Sequence, residues 1–91
     1  MASVIIWDLE DDTEGNWWHI VVEGHGITAD EVVEVVEAHH SEATLSQSSG
    51  QPIAFGWTSL GRYIAVVYEH VSDDPLTFYP ITAYEVPPPH E

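Results

Sequence analysis

The spacing of apolar residues changes period along the chain, and the changes mark out its elements. Val4-Ile5-Ile6-Trp7 is a short apolar run rich in β-branched residues and predicts a buried strand. The acidic stretch from Asp8 to Gly15 ends it. Between Asn16 and Val22, Trp17, Ile20 and Val21 fall at i, i+3 and i+4, which suits one face of a short helix, while the β-branched residues also suit a strand. Gly24 and Gly26 close that segment. The clearest element follows. Thr28-Ala29-Asp30-Glu31 reads as a capping box, with Thr28 at the N-cap and Glu31 reaching back. Ala29, Val32, Val33 and Val36 repeat at helical spacing, with Asp30, Glu34 and Glu37 on the other side. Acids early and His39-His40 late suit the helix dipole, so a helix is expected from Ala29 to His39.

Glu42 to Gly50 is polar, with Ser46 to Gly50 expected as a turn or loop. The period then becomes two. Ile53 to Ser59, Arg62 to Glu69 and Leu76 to Val86 predict three strands. Ser59-Leu60-Gly61 suits a three-residue hairpin connection with Gly61 in the left-handed position, and Ser72-Asp73-Asp74-Pro75 supplies the next turn. Pro80 inside the last strand points to an edge strand or a bulge. The expected fold is one α+β domain over residues 1–86: an N-terminal strand, two helices, then an antiparallel meander with one or both helices on one face. Residues 87–91, opening with Pro87-Pro88-Pro89, are expected as an extended proline-rich tail.

Charge changes the picture more than size does. Across 91 residues, 16 acids face a single base, Arg62, for a net charge of −15. Such a surface repels phosphate, and the Lys and Arg contacts that give nucleic-acid affinity are nearly absent. The field favours a basic protein partner or plain solubility. Asp8 to Glu42 holds 11 of the 16 acids and no base, either a solvated acidic face or a docking face for a basic partner. Without cysteine there is no disulfide, thiolate nucleophile or Cys-based zinc site, which agrees with a cytoplasmic protein. No signal-peptide pattern opens the chain, and no apolar run is long enough to span a membrane.

Several short motifs carry a family resemblance: Trp7-Asp8 at the end of the first strand, Asn16, and His25-Gly26-Ile27-Thr28 leading into the helix. Later come Gly61-Arg62-Tyr63-Ile64-Ala65-Val66-Val67-Tyr68 and Ile81-Thr82-Ala83-Tyr84-Glu85. In this order, from about Ile5 to Val86, the chain resembles the BrnT-like toxins of bacterial type II toxin–antitoxin modules, whose fold is RelE-like. The resemblance implies a translation-blocking ribonuclease held inactive by a partner antitoxin, here a basic protein. His25 matches the family's Lys-His-Gly histidine, and Arg62 its Gly-Arg arginine. Two cations of the family pattern are replaced, the lysine by Gly24 and the last-strand arginine by Tyr84.

RNA cleavage needs cations around the phosphate and an acid–base pair to move protons. The candidates are Arg62 for the phosphate, His25 and His19 for proton transfer, and Tyr63, Tyr68 or Tyr84 as hydroxyl donors. The plainer reading pairs Arg62 with one of the many carboxylates, worth about 0–1 kcal/mol if exposed. His39-His40-Ser41-Glu42 and the His19, His25 pair lack ligand spacing for a metal. The calcium-loop-like Asp8-Leu9-Glu10-Asp11-Asp12-Thr13 fails at Thr13, where glycine is needed. Neither metal nor cofactor is expected. Trp17, Trp18 and Trp57 are expected as core or half-buried residues. Adjacent Trp17 and Trp18 cannot both face one core, so one is expected to be exposed as a protein-binding candidate. Two functions follow, a toxin-like protein with weak or lost ribonuclease activity, or a non-catalytic acidic module that binds a basic partner. A homodimer joined at the Pro80 edge is a third possibility.

Overall fold

Val4–Ile5 forms β1 in the computed structural model, which describes residues 3–24, 26–45 and 50–88. This strand is shorter than the Val4-to-Trp7 run. It lies parallel to the last strand, with Val4 beside Thr77 and Ile5 beside Phe78. The ambiguous segment is helical but not a regular helix. Trp18–Val22 forms a single π-helical turn in which the Glu23 N–H donates to Trp18 O at 2.9 Å. The expectation of two helices is therefore corrected. One helix of several turns, α1 (Ala29–His39), is present among the described residues, and it leads into a 3-10 turn at His40–Glu42. The capping box forms as the sequence requires, with Thr28 Oγ1 accepting from Glu31 N–H at 3.2 Å and Glu31 Oε1 accepting from Thr28 N–H at 3.0 Å.

Four more strands follow: β2 (Thr44–Leu45), β3 (Pro52–Trp57), β4 (Tyr63–Asp73) and β5 (Leu76–Glu85). β2 has no counterpart in the sequence reading, and the turn placed over Ser46 to Gly50 lies largely outside the described residues. The five strands form one mixed sheet in the order β1-β5-β4-β3-β2. The expected antiparallel meander is its β3-β4-β5 centre. Gly61 takes φ +83° in the β3–β4 hairpin, the left-handed conformation expected there.

Pro80 sits at a bulge, one of its two anticipated settings. Val67 faces Thr82 and Tyr68 faces Pro80, so Ile81 is the extra residue. Pro80 carries no N–H, and its carbonyl accepts from Asn16 Nδ2 at 2.8 Å on the side away from β4. The proline therefore removes no hydrogen bond from the β4–β5 ladder. β1 flanks β5 only at Thr77 and Phe78, so Pro80 lies beyond that pairing, where the Asn16 side chain rather than a strand meets the outer side of β5.

The core lies on one face of the sheet. Val32, Val35 and Val36 of α1 pack with Ile20 and Ile27 onto Ala54, Ile64, Val66, Tyr68 and Phe78. Tyr68 and Phe78 meet edge to face at 5.1 Å between centroids. On β3 the small residues point inward. The His39 ring lies so close to Gly56 that a Cβ there would collide with it. Close approach of α1 thus reserves the inner face of β3 for Ala54 and Gly56, and turns Phe55 and Trp57 outward.

Candidate functional site

Arg62 stands just before β4, with its side chain on the helix side of the sheet. Its Nη2 donates to Glu31 Oε1 at 2.7 Å and to Gly26 O at 2.7 Å, while Nε donates to Glu31 Oε2 at 3.1 Å. Thr58 Oγ1 donates to the same Glu31 Oε2 at 2.7 Å. Glu31 is only 2% exposed and Arg62 is 26% exposed. Burial alone would raise the Glu31 carboxyl. The donors from Thr58, the Thr28 backbone and Arg62 outweigh it and hold the group below the usual carboxylate range. The capping glutamate of α1 is therefore also the counterion of the chain's sole guanidinium. Arg62 is paired, as the plainer reading had it, but with a buried carboxylate rather than an exposed one.

The other candidates lie elsewhere. Tyr68 is buried in the core and donates to His40 O at 3.4 Å, and burial pushes its phenol up. It stands roughly 20 Å along β4 from Arg62 at the usual rise per residue. Tyr84 faces Ala65 on the side of the sheet away from α1 and Arg62. His19 lies beside β5, its ring between Glu23 Oε1 at 3.4 Å and Thr82 Oγ1 at 3.2 Å. His25 lies outside the described residues. Arg62, Tyr68, Tyr84 and His19 do not converge on one site. Nor is Gly24 open to a lysine without change, because a Cβ at this position would collide with the Ile20 carbonyl.

His19 and Glu23 do share a cleft of about 270 Å³ with Glu14, Asn16, Tyr79 and Ile81. A histidine beside a carboxylate can move protons. The described lining offers no lysine or arginine to stabilise a phosphate, and its two glutamates would repel one. No three His, Asp or Glu side chains among the described residues gather in a way that would hold a metal ion.

Asp8 and Asn16, two of the resemblance motifs, form a structural clamp beside this cleft. Asp8 N–H donates to Asn16 Oδ1 and Asn16 N–H donates to Asp8 Oδ2, both at 2.8 Å. Tyr79 Oη also donates to Asp8 Oδ2, at 2.5 Å. That bond, with the Asn16 N–H, holds the Asp8 carboxyl below its usual range. The same bond, with burial and the Asp8 charge, pushes the Tyr79 phenol from 10.0 to about 12. The contribution of Tyr79 is complete below its unfolded value and lost as pH rises through about 12. That of Asp8 is present above the carboxylate range and lost as pH falls through its lowered value. Tyr79→Phe is therefore expected to lower the melting temperature at neutral pH, with the gap from wild type closing in strong acid and above pH 10. Melting curves across pH check this, and a gap constant with pH would refute it.

The feature that pattern reading missed is the outer face of the sheet. Cross-strand register places Phe55, Ala65 and Tyr84 in one row, and Trp57 beside Tyr63 in the next. Trp57 and Tyr63 meet at 5.2 Å between centroids, and Phe55 stacks on Tyr63 at 6.4 Å. Phe55, Trp57 and Tyr84 are 38%, 54% and 43% exposed. Trp17 and Trp18, by contrast, are both half-buried, so the expectation that one is exposed is not met. The available signal was the alternation of small Ala54 and Gly56 with large Phe55 and Trp57. Burial rules alone assign the large residues to the core, the reverse of the arrangement found.

Comparison of the chain with protein-family models, with curated proteins and with solved structures yields no match. No helix of the described residues is long and apolar enough to cross a membrane.

Proposed function

We propose that this chain is a non-catalytic, acidic protein-interaction module that binds a basic partner protein. One observation carries the reading: the single guanidinium of a chain with net charge −15 is neutralised inside the fold by Glu31, so no free lysine or arginine is left to grip RNA. The dispersal of Arg62, Tyr68, Tyr84 and His19 supports it. The first strand, helix and three-strand meander suit a toxin-like, RelE-like scaffold, and the BrnT-like resemblance makes an antitoxin-like protein the natural type of partner. The module keeps such a scaffold without its ribonuclease chemistry.

The test has two arms. Purified protein is incubated with mixed RNA at low salt, beside His19→Ala and His25→Ala variants. It is also titrated with poly-L-lysine while salt is raised. The expected result is intact RNA throughout, and polylysine binding that weakens steeply with salt. RNA cleavage by the wild type that either histidine variant abolishes would overturn the proposal. So would a failure to bind the polycation at low salt.

A further inference from the structure

β2 ends its pairing at Thr44 beside Ile53, and no strand among the described residues continues along β3 past that point. The hydrogen bond from Thr58 N–H to Arg62 O fixes the phase of the β3–β4 ladder. Alternation then turns the amides and carbonyls of Phe55 and Trp57 away from β4, toward this open side. A strand laid there would find a row of backbone donors and acceptors.

Its side chains would meet two different surfaces. On the outer face stand the Phe55, Trp57 and Tyr63 rings, with Tyr84 beyond Ala65, and none of these carries a charge. On the helix side stand carboxylates. Glu42 Oε1 lies 3.1 Å from Nδ1 of His39, whose ring covers Gly56, and Glu34 Oε1 accepts from Ser59 N–H at 2.9 Å. A strand that alternates apolar with basic residues would match both at once, since successive side chains point to opposite faces. A second copy of this chain would instead bring another −15 against the same carboxylates.

We infer that the open edge of β3 at Phe55–Trp57, with the aromatic face beside it, docks an extended segment of a partner by strand addition, its apolar side chains on the rings and its Lys or Arg side chains on Glu34 and Glu42. The inference rests on the acidic-module reading and adds where and how the partner binds.

The experiment selects binders from a display library of linear 12-residue peptides and measures the enriched peptide by fluorescence anisotropy. Enrichment of sequences that alternate aromatic or aliphatic with basic residues is expected. Trp57→Ser is expected to weaken binding roughly tenfold or more, as loss of an anchoring aromatic does. The double variant Glu34→Gln, Glu42→Gln should weaken it and flatten its salt dependence, while Leu9→Ala, in the acidic bend, leaves it unchanged. Bound peptide should slow hydrogen exchange at the Phe55 and Trp57 amides. Circular dichroism checks that each variant is folded.

Basic peptides that bind Trp57→Ser as tightly as wild type would overturn this docking surface and leave the acidic-module reading standing. Absence of any enriched basic peptide would overturn the docking inference, while the polylysine titration decides the acidic-module reading separately. A dimer by light scattering at micromolar concentration that Trp57→Ser dissolves would give the face to a second copy. A blue shift of tryptophan emission on neutral phosphatidylcholine vesicles, lost in Trp57→Ser, would give it to a membrane. Either result would also overturn the inference.

Discussion

Arg62→Ala is expected to lower the free energy of unfolding by about 3 kcal/mol at neutral pH. Removing one partner of a buried ion pair strands the other, at a cost of about 3–5 kcal/mol, and the lower end applies because the guanidinium is 26% exposed. Arg62 also donates to Gly26 O, so the loop before α1 loses a tie as well. Domains of this size are held by about 5–14 kcal/mol, so the loss is a large share. Two further outcomes separate charge stranding from simple loss of packing. Glu31→Gln placed on the Arg62→Ala background is expected to restore part of the stability, since it removes the buried charge. Acid should narrow the gap between wild type and Arg62→Ala. The wild-type Glu31 carboxyl is held low, so its contribution is present above the carboxylate range and fades as pH falls through that lowered value. In the variant that carboxyl loses its counterion and takes up a proton more readily. Urea unfolding at several pH values measures both effects. A variant of unchanged stability would return Arg62 to the role of a free cation.

Asn16→Ala is expected to cost a similar amount, about 3 kcal/mol. The Asn16 side chain is a hub with few alternatives. Its Nδ2 donates to Ile6 O at 3.0 Å and to Pro80 O at 2.8 Å, and its Oδ1 accepts from Asp8 N–H at 2.8 Å. The residue is buried, so alanine leaves backbone groups without partners, each worth about 1–3 kcal/mol where water cannot reach. These bonds join the end of the β1 segment to the bulged part of β5, where Pro80 offers no N–H of its own. Asn16→Asp tests the role of the donors. It keeps an acceptor for Asp8 N–H but sets a carboxylate against two carbonyls and near Asp8. It is expected to be at least as destabilising as alanine at neutral pH, and to recover in mild acid as the new carboxyl protonates. Chemical denaturation of both variants decides the matter, and an aspartate variant as stable as wild type would show that the amide donors are dispensable.

The two structural roles bear on the reading of the motifs. Trp7-Asp8, Asn16 and Gly61-Arg62 carry the resemblance, and in this fold Asp8, Asn16 and Arg62 all serve its construction. The chain's sole guanidinium, Arg62, is spent here on a carboxylate. The free surface that remains is acidic around the helix and aromatic on the sheet.

Local chemistry made much of the fold legible from sequence. The capping box and valine spacing determine α1, because both act within one or two turns of the chain. The left-handed Gly61 and the two turns determine where the three meander strands reverse. The excess of acid over base determines which partners the surface can attract. Other features depend on residues far apart in the chain, and only the tertiary structure decides them. Whether Arg62 is a free cation depends on Glu31 coming within 2.7 Å of it across the fold. Whether Pro80 disturbs a ladder depends on which way its missing N–H points. Whether Phe55 and Trp57 lie inside or outside depends on how closely α1 approaches Gly56. The two-residue β1 and β2 carry too few positions for any period to mark them, and they exist through pairing with β5 and β3. A period of two tells that a strand has two faces, and the helix that covers one of them decides which face becomes the core.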